Sequence, residues 1–238
     1  MTRELVYGRQ PVREVVRAGR RQILELLVTE RALSAEPWLR EVPGLRLQVV
    51  PERRLREAAG TTDHQGVVAC CTPYRYADAH ELAAGEQPLI VCLDQVTDPH
   101  NLGAVIRSAE GAGASGVVIT ERNAARVTPV VCKASAGAVE HLPVAVVVNL
   151  GRYLDEIKGP RLWAWAAEGG AETPVWEADL TTGVALVFGS EGRGLRPGVR
   201  RACDDAFAVP LSGSIESLNV SVAAGVTLFE AARQRRAS

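Results

Sequence analysis

The chain has 238 residues, 47% hydrophobic and 23% charged, with 27 basic and 28 acidic side chains for a net charge of -1. That profile excludes a disordered chain, a collagen-like repeat and a disulfide mini-protein, and leaves one large globular domain or two small ones. A near-neutral total also argues, at first sight, against a nucleic-acid partner, because phosphate contacts need Lys and Arg.

Residues 1–75 hold 13 Arg against 9 acidic residues, net +4, whereas residues 76–238 are net -5. Such asymmetry points to a polyanion partner on one side. In chain order, Val12, Val15 and Val16 predict a short helix after Pro11, and Ile23 to Val28 a strand. Residues 31–40 read as helix through Ala32, Leu33, Ala35 and Leu39. Leu45 to Val50 read as strand, and Pro51 opens a helix that stops at Gly60. Gly66 to Cys71 closes an αβαβαβ unit. The polar stretch 73–88 marks a boundary, giving residues 1–75, a linker 76–87 and a second domain 88–238.

The second domain alternates apolar runs with helical segments. The runs are Leu89–Leu93, Gly116–Thr120, Val144–Val148, Leu162–Ala166, Val184–Phe188 and Ala206–Val209. Helices are expected at 103–112, 128–138, 150–157 and 217–234. In the last, Leu218, Val222, Val226 and Phe229 form one apolar face. Runs that are apolar throughout suit a mainly parallel sheet covered on both sides, hence an α/β fold.

The five cysteines form no C-x-x-C, and four sit in apolar runs, as buried thiols of a reducing compartment do. His and Cys spacing suggests no metal. The first ten residues lack a signal-peptide core, and no apolar run nears the ~20 residues of a membrane span. A cytoplasmic protein without membrane contact is expected.

Gly111, Gly113 and Gly116 match G-x-G-x-x-G literally, but they follow a helix and enter a strand. A dinucleotide site needs the reverse order. Three other segments lie at the ends of apolar strands, where parallel sheets bind ligands. The first runs from Leu93 through Asp98, Asn101 and Arg107. There, by the simplest reading, Asp98 or Asn101 caps a helix and Arg107 is a surface charge, whereas its neighbours Ile106 and Ala109 point to an Arg107 not fully turned to solvent. The second, Phe188-Gly-Ser-Glu-Gly-Arg-Gly194, has three glycines within six residues around Glu191, so that backbone can approach a ligand closely. The third runs from Val209 and Pro210 to Asn219; Ser217 fits a helix N-cap, but Asn219 is a poor choice inside an early helix turn.

Together these segments resemble the three signature motifs of the SpoU (TrmH-like) branch of the SPOUT RNA methyltransferases, over residues 88–235. Tyr7-Gly8 and His64-Gln65-Gly66 resemble the substrate-binding domain fused to such enzymes. Length and layout are most similar to the bacterial branch acting on a guanosine 2'-hydroxyl of 23S rRNA. Val209 stands where Ile is common. The resemblance implies a knotted, mainly parallel sheet with a C-terminal trefoil knot, preceded by a small ribosomal-protein-L30e-like α/β domain. It implies S-adenosylmethionine held by the backbone of Gly189, Val209, Leu211 and Leu218, and a homodimer with the site at its interface. Arg107, Asn101, Glu191, Ser217 and Asn219 take the catalytic positions.

Arg107 would orient the ribose hydroxyl or a neighbouring phosphate and stabilise developing alkoxide charge, acting as a base only if its pKa were strongly depressed. Asn101, Glu191 and Asn219 would hold it and the ribose in register. RNA contacts are expected from Arg9, Arg13, Arg17, Arg20, Arg21, Arg53, Arg54 and Arg56. The alternatives are a tRNA ribose methyltransferase, an antibiotic-resistance rRNA methyltransferase, a non-catalytic RNA-binding assembly factor and, on the decoy glycines, a nicotinamide dehydrogenase.

Overall fold

The computed structural model describes residues 3–42 and 46–237. The elements begin with β1 (Glu4–Tyr7), α1 (Arg9–Ala18), β2 (Ile23–Val28), α2 (Glu30–Ala35), β3 (Leu47–Val49), α3 (Glu52–Ala59) and β4 (Val67–Cys71). They continue with β5 (Leu89–Asp94), α4 (Pro99–Gly111), β6 (Gly116–Thr120), α5 (Pro129–Ala134), β7 (Val144–Val147) and α6 (Leu150–Ile157). The last are β8 (Leu162–Ala167), β9 (Gly183–Gly189), α7 (Pro197–Ala202), β10 (Asp205–Phe207) and α8 (Val220–Ala237). Two compact units result. Residues through Arg75 cluster with Val127–His141, and Tyr76–Arg126 clusters with the residues from Leu142 onward.

In the first unit the strand order is β1-β4-β2-β3, with β4 antiparallel to both neighbours and β2 parallel to β3. β1 adds a strand that the sequence pattern did not disclose, since four residues are too few to establish a period. The expected helix over 31–40 breaks at Pro37. Thr29 caps α2 by accepting from the Ala32 N–H at 3.1 Å, and a separate 3-10 turn spans Pro37–Arg40. Leu45, at the start of the expected strand, lies outside the described residues.

The segment 127–141, which sequence assigns to the second domain, is built into this unit. Its expected helix stops after α5, where Ala136 and Gly137 take φ of 52° and 88°. At Gly137 a Cβ would lie 2.6 Å from Glu14 Cβ and 3.1 Å from Pro11 Cα, so α1 could not approach past a side chain. Arg21 is buried and donates through Nε to Glu140 Oε2 at 3.0 Å, through Nη2 to Glu140 Oε1 and through Nη1 to Glu4 at 3.4 Å. Glu14 meets His141 Nε2 at 2.7 Å and Arg17 at 3.0 Å. Removing one partner of a buried pair strands the other charge. Glu140→Gln should therefore cost about 3 kcal/mol of unfolding free energy. Urea denaturation checks this, and an unchanged midpoint would contradict it.

The second unit holds a six-stranded sheet of order β10-β8-β9-β5-β6-β7, parallel at every pairing. β5 and β6 are buried along their whole length, as their unbroken apolar runs require. Residues 76–87, expected as a linker, are part of this unit. Ala77 N–H donates to Val144 O at 2.9 Å, and Ala79 and Leu82 join the core around Ile90 and Cys92. Gly111 to Gly116 run from the end of α4 into β6, the order opposite to a dinucleotide fingerprint.

The last helix differs from expectation. It begins at Val220, and its buried face is Val220, Ala224, Thr227, Leu228 and Ala231. Val222, Val226 and Phe229, the apolar face read from the sequence, are 50%, 42% and 56% exposed. α8 thus carries two apolar stripes, and α4 lies along it, with Ser108 Oγ 3.5 Å from where a Cβ on Gly225 would be and Phe229 Cζ 3.8 Å from where a Cβ on Gly111 would be. Arg235 does more than sit at the negative end of α8. It donates to the carbonyls of Leu180 and Gln87, each at 2.9 Å, anchoring the helix end.

Candidate active site

Because every pairing in the second sheet is parallel, β5, β9 and β10 release their chains at one edge. β5 leads through Gln95 to α4, where Asp98 is the N-cap and accepts from the His100 N–H at 2.8 Å. β9 leads into the glycine loop, and β10 into the segment before α8.

Glu191 brings the three loops together. Its Oε1 accepts from Asn101 Nδ2 at 3.0 Å and from Asn219 Nδ2 at 2.6 Å, while Asn219 Nδ2 also reaches Asn101 Oδ1 at 2.9 Å. Asn219 is not inside the helix. It stands just before α8, and its Oδ1 accepts from the Ser221 N–H at 2.9 Å. The N-cap role expected for Ser217 therefore belongs to Asn219, a position where Asn is favoured. One amide thus caps the helix and ties it to Glu191.

The loop around Glu191 is a tight turn, with Gly194 N–H donating to Ser190 O at 2.9 Å and Gly192 and Gly194 at φ of 74° and 65°. The sequence assigns its glycines to a ligand, but Gly189 is required first by the loop itself. A Cβ there would lie 2.2 Å from Gly194 C. The exit is pinned by Asp94, buried at the end of β5, whose Oδ2 accepts from Arg196 N and whose Oδ1 accepts from Arg196 Nε, each at 2.9 Å. Neither Asp94 nor Arg196 is among the residues singled out from sequence. The available signal is a charged residue ending the otherwise apolar run LIVCLD.

Beside Glu191 lies a cavity of about 690 Å³, within the ~300–1,000 Å³ usual for small-molecule clefts. Gly189, Glu191, Val209, Leu211, Ser217 and Leu218 line it, six of the positions the sequence singles out. Asn101 and Asn219 join through Glu191. From 209 to 218 no backbone N–H or C=O is hydrogen-bonded within the chain among the described residues, so this wall offers free peptide groups. Apolar Phe188, Phe207 and Ile215 share the lining with the carboxylates of Glu168, Glu191 and Glu216 and with Arg193. Flat apolar faces, unpaired peptide groups and excess negative charge fit an adenosyl sulfonium compound.

Arg107 stands apart. It is exposed on α4, as the surface-charge reading has it and against partial shielding by Ile106 and Ala109, and among the described residues it has no hydrogen bond or ion pair. It lies six residues, about 9 Å of helix rise, beyond Asn101. Of the arginines expected to meet RNA, Arg20, Arg54 and Arg56 are exposed and Arg13 is half-buried. Arg9, Arg17 and Arg53 pair with Glu36, Glu14 and Glu57. Arg21 is withdrawn from that set, because its guanidinium is enclosed by Glu140, Glu4 and the Tyr74 ring. Among the described residues no His, Cys, Asp or Glu cluster suits a metal ion, and no helix is long and apolar enough to cross a membrane.

Comparison with known proteins bears on this edge of the sheet directly. The SpoU rRNA Methylase family model matches residues 88–229. The chain belongs to the SpoU rRNA methylase family. A second model, RNA 2'-O ribose methyltransferase substrate binding, matches residues 5–77. SpoU relatives run the full length. The 23S rRNA (guanosine-2'-O-)-methyltransferase RlmB of Vibrio cholerae is 37% identical over 100% of both chains. The putative TrmH family tRNA/rRNA methyltransferase YacO of Bacillus subtilis is also 37% identical, over 98% of this chain and 96% of its own. The SpoU methyltransferase AviRb of Streptomyces viridochromogenes, solved in complex with the cofactor AdoMet, superposes with a TM-score of 0.83 at 28% identity, covering 98% of this chain and 91% of that one. This SpoU chain is accordingly an RNA ribose 2'-O-methyltransferase, with an α/β fold built on a parallel sheet.

Proposed function

We propose that the chain methylates the 2'-hydroxyl of a guanosine in 23S rRNA, using S-adenosylmethionine, as a cytoplasmic homodimer whose C-terminal segment forms a trefoil knot. The observation that carries this reading is the hydrogen-bonded Asn101–Glu191–Asn219 cluster beside a cavity walled by free peptide groups. The name of the full-length Vibrio relative supports the choice of substrate.

When bound, S-adenosylmethionine supplies an electrophilic methyl on a sulfonium. Gly189, Val209, Leu211 and Leu218 would hold it by backbone and apolar contacts, with the nearby carboxylates complementing its positive charge. The chain's part would be to present the ribose 2'-oxygen to that methyl in line with the carbon–sulfur bond, the hydroxyl losing its proton as attack develops. Glu191, fixed by two amides, positions the ribose. Arg107 stabilises the developing negative charge on oxygen.

Arg107 does so across the dimer interface in this reading. It is exposed on the helix that packs against α8, whose Val222, Val226 and Phe229 form an apolar stripe in need of cover. In the proposed division of labour, the first unit binds RNA, with Arg13, Arg20, Arg54 and Arg56 of residues 1–75 as the open contacts, and the second unit, 76–87 included, carries out the chemistry.

The test is methyl transfer from labelled S-adenosylmethionine to unmodified 23S rRNA transcript and to tRNA, with the modified ribose mapped by primer extension. A single 2'-O-methylguanosine in 23S rRNA is expected. Labelling of tRNA alone would replace the substrate, and RNA binding without transfer would favour the assembly-factor reading.

A further inference from the structure

The chain has two lysines among its 27 basic residues. Lys158 is neutralised, with Nζ 3.5 Å from Asp155 and 3.3 Å from Asp204. Lys133 is not. Among the described residues it makes no hydrogen bond or ion pair, although it is half-buried on α5 within the first unit. Burial holds its ammonium below the usual lysine range, and the field of Asp63 offsets only part of that. A partly desolvated cation without a fixed counter-ion favours an anion from outside.

Its position is specific. A Cβ on Gly8 would lie 2.8 Å from Lys133 Nζ, 3.2 Å from Lys133 Cδ and 3.3 Å from Gln65 Oε1. The Gly8 of Tyr7-Gly8 and the Gln65 of His64-Gln65-Gly66 therefore meet around this one ammonium. Both are held in uncommon backbone conformations, with φ of 99° at Gly8 and 52° at Gln65. Arg9 fastens Gln65, donating its N–H to Oε1 at 3.3 Å and its Nε to Gln65 O at 3.2 Å, while its own guanidinium pairs with Glu36. Gly8 thus leaves room, beside Gln65, for a lysine carried in from α5, with its charge open.

We propose that Lys133 contacts a phosphate of the RNA substrate, seated between Gly8 and Gln65, so that α5 supplies a binding residue to the first unit. This rests on the reading of the chain as an RNA methyltransferase and adds to it a residue outside 1–75. Lysine suits the role as a point charge on a flexible stem.

Binding of wild type, Lys133→Gln, Lys133→Arg and Gly8→Ala to a 23S rRNA transcript should be followed through a salt titration. Affinity for S-adenosylmethionine and the urea midpoint of each variant should be measured alongside. Loss of one phosphate contact should lower the slope of log affinity against log salt by about 1 in Lys133→Gln. Lys133→Arg should retain the slope. Gly8→Ala, which shifts the flexible end of Lys133 and strains a φ of 99°, should lower affinity while keeping most of the slope, because the charge remains. Cofactor affinity should be unchanged in the two Lys133 variants. Wild-type slope in Lys133→Gln would overturn the assignment while leaving the methyltransferase reading intact. Failure of the wild type to bind RNA at all would overturn both.

Discussion

Replacing Arg107 with Ala is expected to slow methyl transfer by about 10²–10³-fold while leaving S-adenosylmethionine affinity unchanged, the loss typical when a donor aimed at developing negative charge is removed. Arg107 makes no hydrogen bond or ion pair among the described residues and lies outside the cavity lining, so the folded subunit should not register its loss. The same geometry predicts a sharper result. If Arg107 serves the site of the other protomer, a dimer of one Arg107→Ala subunit and one Asn219→Ala subunit has one intact site and one doubly damaged site. Statistical mixing of two inactive homodimers should then restore about a quarter of wild-type activity. If Arg107 serves its own subunit, mixing restores nothing. Single-turnover transfer on refolded mixtures distinguishes the two.

Gly189→Ala is expected to be the most damaging single-carbon change at the site. The new Cβ would meet Gly194 C at 2.2 Å, Gly194 O at 2.4 Å and Leu195 N at 2.5 Å, all backbone atoms held by the Ser190–Gly194 turn and by Arg196 on Asp94. The loop must shift, and Glu191 shifts with it, away from Asn101 and Asn219. Misplacement of a positioning group by about 1 Å costs on the order of 10²-fold, so kcat/KM should fall by at least that much, with weaker cofactor binding by calorimetry. Gly192→Ala is the control. A Cβ there meets nothing within 4 Å, and only the φ of 74° opposes it, at a cost of about 1 kcal/mol in stability. Equal effects at the two positions would refute the close-approach argument.

The parallel sheet was legible because β5, β6 and β9 are buried on both faces and so carry no polar alternation to confuse the reading. Glu191 and Asn101 were legible as polar residues placed just after such strands. That they touch was not, since Asn101 is 90 residues from Glu191 and 118 from Asn219, and nothing local encodes the pairing. Arg20 and Arg21 look alike in sequence, yet one is exposed and the other enclosed, because Glu140 arrives from 119 residues away. α8 was legible only in part, for a different reason. Its two apolar stripes satisfy the same periodicity, and which of them the subunit buries depends on partners distant in sequence.

The segment 127–141 sets a rule of inheritance. It lies inside the span matched by the methylase family, between β6 and β7, yet Glu140, His141 and Gly137 are fitted to Arg21, Glu14 and α1. A chimera made by exchanging residues 1–75 alone would graft a foreign α1 onto this α5 and leave Glu140 facing whatever replaces Arg21. Transplanting target choice between relatives therefore needs two crossovers flanking 127–141 as well as one near residue 75. Exchange of either stretch alone would break the Arg21–Glu140 and Glu14–His141 pairs, so the two are one unit of design although residues 76–126 lie between them in sequence.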